Sequence, residues 1–106
     1  GNPTADCEPS PAAAINGAGT VTLTANDIDR NSVADTGNGC SLSLIEVSRD
    51  GSNFDNDVTF NCGDVNSNVQ VTLRVQQDDG KTDTCTTFVG PGQQLCGLVS
   101  EFAGQW

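Results

Sequence analysis

The sequence predicts an all-β fold, a two-layer antiparallel sandwich of six or seven short strands. Apolar and polar residues alternate in short runs, the period of a half-buried strand, and helical signals are almost absent before residue 92. Clusters of Gly, Asn and Asp separate the runs, as turn residues do between strands. The chain has 106 residues and five cysteines, so a small core with covalent staples is expected.

The first strand is expected at residues 12–15. In the second, Val21, Leu23 and Ala25 alternate with Thr20, Thr22 and Thr24. Cys40, Leu42 and Leu44 alternate with Ser41 and Ser43, and Val58, Phe60 and Cys62 share a face. Val69, Val71, Leu73 and Val75 point one way while Gln70, Thr72, Arg74 and Gln76 point the other. Cys85, Thr87 and Val89 make the last inward face, which puts Phe88 on the outer one. The final hairpin has a readable register. Pairing inward Leu73 with inward Cys85 needs an odd loop, and Asp78-Asp79-Gly80 supplies it, with Gly80 at the position of positive φ.

Composition narrows the function. Four Lys and Arg stand against 14 Asp and Glu, a formal net charge of -10, which argues against nucleic acid as a partner. The chain has no His and no Tyr, so no Ser–His or Cys–His relay is available and the usual imidazole metal ligand is missing. Carboxylate pairs abound, yet a core this small leaves little room for a cleft; the expectation is that the protein is not an enzyme. No apolar run approaches the roughly 20 residues that span a bilayer, so membrane insertion is not expected. No secretory leader is expected in this sequence, although a mature exported chain would have lost one.

The cysteines, at positions 7, 40, 62, 85 and 96, form no close metal-binding pairs, and disulfides in an oxidising compartment are the better reading. Cys40 and Cys62 fall on the inward faces of neighbouring strands. Cys7 precedes the first strand and Cys85 lies in the last, and these strands often sit close together in sandwiches. The expected bonds are Cys40–Cys62 and Cys7–Cys85. Cys96 is left over as a free thiol, as the alternative partner of Cys7, or as an intermolecular link.

These strands and cysteines together resemble a known family. The run from Gly19 to Asp29, Cys40-Ser-Leu-Ser-Leu, Phe60-Asn-Cys-Gly-Asp-Val65, Val69 to Val75, and Asp83-Thr-Cys-Thr-Thr-Phe-Val89 are similar to the HYR-like immunoglobulin-fold repeats. Those repeats occur in tandem in large surface and secreted proteins of Bacteroidetes-type bacteria. The likeness covers about residues 5–89. It implies an immunoglobulin-like antiparallel β-sandwich of about seven strands, secreted or displayed at the cell surface, with a structural or cell-adhesion role and no catalysis. Residues 90–106 do not match the linker between such repeats. The expected division is therefore a sandwich over 1–89 and a C-terminal docking or assembly extension over 90–106.

Asp27, Asp29, Asn31 and Asp35 stand at alternate positions of one loop, a spacing that suits Ca²⁺. Ser32 and Asn38 depart from the EF-hand pattern, and Asx residues also serve turns without any ion. Asp27, Asp29 and Asp35 are the candidate ligands. A carbohydrate-binding module is the alternative function, with Phe54 and Trp106 the candidate aromatic platforms. In the tail, Leu95, Leu98, Val99, Phe102 and Trp106 recur on one helical face after Pro91-Gly92. With Cys96 they are the candidate interface, packing on the chain's own sandwich or on a neighbouring subunit. The expected partners are copies of the chain in a surface filament, or another surface protein.

Overall fold

The computed structural model describes residues 1–65 and 67–92. Its elements in chain order are β1 (Thr20–Thr24), α1 (Ala25–Ile28), a 3₁₀ turn (Thr36–Asn38), β2 (Leu42–Ser48), β3 (Asp57–Asn61), a second 3₁₀ turn (Cys62–Asp64), β4 (Val69–Gln77) and β5 (Thr82–Val89). They form two antiparallel sheets, β1-β3 and β2-β4-β5. The fold is all-β with little helix, as the alternation predicts. Five strands form among the described residues.

The expected strand at residues 12–15 is not one. The N-terminal segment makes isolated bridges instead: Thr4 with Val33, Cys7 with Asp29, and Ala14 with Gly92 in parallel. Pro3, Pro9 and Pro11 explain this, because each removes a backbone donor and interrupts any ladder.

β4 and β5 pair as predicted. Leu73 lies opposite Cys85, and Gln77 closes the turn by donating its N–H to the Lys81 carbonyl. Asp78, Asp79 and Gly80 remain as the loop, with Gly80 at φ 91°. β2 departs from its pattern. Leu42 pairs with Gln77 but Leu44 pairs with Gln76, so Ser43 is an extra residue in a bulge. The bulge reverses the faces beyond it: Leu44 points outward, and Ile45 and Val47 take the inward side.

α1 was not legible as a helix by periodicity, being a single turn. It starts with a capping box: the Asp27 N–H donates to Thr24 Oγ1 (3.3 Å), and Asp27 Oδ2 accepts from the Thr24 N–H (2.9 Å). The turn delivers Ala25 and fully buried Ile28 to the core. There they join Leu23, Val47, Val58, Phe60, Val71, Leu73, Val75 and Val89, with Ala13 and Ile15 from the N-terminal segment. Full burial of a side chain such as Ile28 is worth about 1.5–3 kcal/mol.

Candidate functional site

The first segment and the last strand are locked together. Asp83 Oδ2 accepts from the Ala5 N–H (2.8 Å), Cys7 is bonded to Cys85, and the Thr87 hydroxyl donates to the carbonyl of Glu8 (2.7 Å). The Ala13 carbonyl then accepts from the Gly92 N–H at 2.6 Å. Residues 1–14 thus run alongside β5 in the same direction, under its inward side. The Cys7–Cys85 bond spans 78 residues of sequence, with Cα atoms 6.0 Å apart.

The Cys40–Cys62 bond expected from the sequence is not formed. Cys40 is a free thiol ahead of β2, with its sulfur 3.8 Å from Asp79 Oδ2 in the β4–β5 turn. Cys62 is disulfide-bonded, but not to Cys40. It lies just beyond the end of β3, exposed, with its sulfur 3.9 Å from the Gly19 carbonyl before β1. The strands they flank, β2 and β3, belong to different sheets, so adjacency along the sequence did not make those strands neighbours. Phe60 is the last inward residue of β3. Asn61 then caps the turn, its Oδ1 accepting from the Gly63 N–H (2.8 Å), and ends the alternation before Cys62. Desolvation, then the carboxylates of Asp79, Asp78 and Asp35, push the Cys40 thiol pKa up.

The acidic loop distributes its carboxylates among separate tasks. Asp27 caps α1, Asp29 Oδ1 accepts from the Ser32 N–H (3.0 Å), and Asp35 Oδ2 meets the N-terminal ammonium of Gly1 at 2.6 Å. Among the described residues, no three His, Cys, Asp or Glu gather into a group that could hold a metal ion. The interface residues Leu95, Cys96, Leu98, Val99, Phe102 and Trp106 lie outside the described residues.

Two carboxylates without a role in the sequence-based expectations, Asp50 and Asp64, are firmly held. Asp50 organises the loop after β2, accepting from the amides of Ser52 and Asn53 (both 2.8 Å) and from the Ser48 hydroxyl (2.7 Å). These bonds, that of the Asn53 amide foremost, lower its pKa far below the ordinary range. Asp64 receives both Arg49 terminal nitrogens, at 3.1 and 2.8 Å, and the Arg49 hydrogen bond holds its pKa down. Ser-x-Asp-Gly-Ser-Asn was a visible turn signal for the first. No local signal pairs Arg49 with Asp64.

The outer face of β2-β4-β5 is an exposed surface that carries a large aromatic ring. Its cross-strand rows are Phe88 with Gln70, Thr86 with Thr72, Thr84 with Arg74, and Thr82 with Gln76; Leu44 and Glu46 extend it on β2. Arg74 and Glu46, its charged pair, are joined at 2.8 Å. The Phe54 ring, from the loop after β2, lies over the Arg74 guanidinium, 4.0 Å from ring centre to carbon. Phe88 is 55% exposed. The face thus presents rings, hydroxyls and amides along its strands.

Among the described residues, no helix is long and apolar enough to cross a membrane. No protein-family model, curated protein or solved structure matches the chain.

Proposed function

We propose that this chain is a non-catalytic, disulfide-stapled immunoglobulin-like module with a structural or adhesive role on a bacterial surface, and that residues 90–106 join it to copies of itself. The immunoglobulin-like reading is supported by the two antiparallel sheets and by the first segment, which bridges to the stretch after α1 at Thr4 and Cys7 and then to Gly92 at Ala14. The Cys7–Cys85 bond supports an oxidising, extracellular setting.

The observation that carries the structural role is the position of residues 1 and 92. Gly1 sits at the β4–β5 turn, its ammonium on Asp35 and its carbonyl accepting from buried Gln77 Nε2 (2.8 Å). Gly92 lies past the opposite end of β5. From Lys81 to Gly92 an extended chain covers roughly 35 Å. Residues 1 and 92 at opposite poles of the unit support a structural role in which the unit is held end to end.

Sedimentation of the intact chain across concentration and salt tests the assembly. Species larger than a monomer are expected, strengthening with salt as the charge of -10 is screened. Removing residues 93–106 keeps Gly92 on Ala13 and, combined with Cys62→Ser so that no exposed thiol can cross-link copies, should leave a folded monomer. An intact chain that stays monomeric at every concentration and salt overturns the assembly.

A further inference from the structure

We infer that the outer face of the β2-β4-β5 sheet is a binding strip for a neutral polysaccharide, with Phe88 as its principal platform. The strip lies on the strands themselves, and its ligand is a sugar chain rather than another copy.

Phe88 is more than half exposed on a strand whose other outward residues, Thr82, Thr84 and Thr86, are all hydroxyl-bearing. A single exposed ring is ordinary. Here a second ring accompanies it. Phe54 stacks on Arg74, and Arg74 is held in turn by Glu46, so this second platform is fixed in orientation. Arg74 is paired with Thr84, four residues from Phe88 along β5, so the row that half-buried Phe54 covers lies roughly 13 Å along the strands from the Phe88 row. Between them stands the Thr86–Thr72 row, and Gln70 flanks Phe88.

This is the chemistry of a pyranose chain. The C–H faces of sugar rings lie against aromatic faces, while hydroxyls exchange hydrogen bonds with groups that both donate and accept. Charge selects the class of ligand. The chain carries -10 overall, yet this face holds only one acid and one base, and they neutralise each other. An acidic polymer is repelled by the molecule, and a basic one finds no free carboxylate on this face. A neutral ligand escapes both penalties.

The test is depletion of the full chain from solution by microcrystalline cellulose, insoluble xylan and chitin, with soluble polygalacturonate as an anionic competitor. The wild-type chain is expected to be retained on at least one neutral polymer, equally in 0.05 and 1 M salt (about 13 and 3 Å Debye length) and with or without polygalacturonate. Phe88→Ala should weaken retention about tenfold, with an unchanged melting temperature, and Phe88→Trp should retain or improve it. Failure of the wild type on all three polymers, equal retention of the alanine variant, or loss of retention at high salt overturns the inference. Sedimentation reads assembly and depletion reads sugar binding, so either reading fails without the other.

Discussion

Cys7 and Cys85 join the first segment to the last strand in parallel register, so a short covalent path runs from residue 1 to residue 92. It passes through residues 1–7, the disulfide and residues 85–92, leaving residues 8–84 out of the line of force. Stretched between handles at its two termini, the oxidised chain should not release the contour of residues 8–84. Under reductant, the same measurement should show a release on the order of 250 Å, at up to 3.3–3.6 Å per residue.

Replacing Cys7 and Cys85 by Ser should also cost equilibrium stability. For a loop of this length, chain entropy assigns the bond roughly 4.5 kcal/mol. At about 4–8 °C per kcal/mol for a domain of this size, thermal unfolding should move down by tens of degrees.

Thiol labelling separates the cysteines. In unreduced native protein, Cys40 should take up iodoacetamide while Cys7, Cys62 and Cys85 do not, as peptide mass mapping would record. Because the thiol pKa is raised, the labelling should be slow at neutral pH and accelerate as the pH climbs. Asp79→Asn removes one of the opposing carboxylates and should speed it.

Acid stability follows from Asp50 and Asp64. Both have folded pKa values lowered from 3.8, so the unfolded chain binds more protons as the pH falls through that range. Their stabilisation is present above about pH 3.8 and is lost as the pH drops toward the folded values. Denaturation midpoints should be level near neutrality and fall in acid. Asp50→Asn and Asp64→Asn should each flatten that acid limb.

Asp27 has a role that needs no ion. Asp27→Ala removes the carboxylate half of the capping box before α1, and a loss of about 1 kcal/mol is expected. The penalty should be the same in millimolar Ca²⁺ and in chelator. A larger penalty in Ca²⁺ would mean that Asp27 also serves as a ligand, with Asp29 and Asp35.

The local part of this architecture was legible in the sequence. Alternation from Val69 to Val75, the odd loop ending in Gly80 and the inward place of Cys85 determined the last hairpin, because a hairpin's register depends on residues a few positions apart. The outward Thr, Gln and Phe88 of the candidate strip follow from that same register. Tertiary structure decided the rest. The bulge at Ser43 turns Leu44 outward, and the Asn61 cap stops β3 before Cys62; both change which face a residue occupies by one position. Phe54 reaches Arg74, and Arg49 reaches Asp64, only once separate loops and strands have packed. Cys40 and Cys62 failed to meet because their strands joined different sheets. A strand's alternation records which side is apolar, but the choice of neighbour is made by the burial of all the apolar faces together.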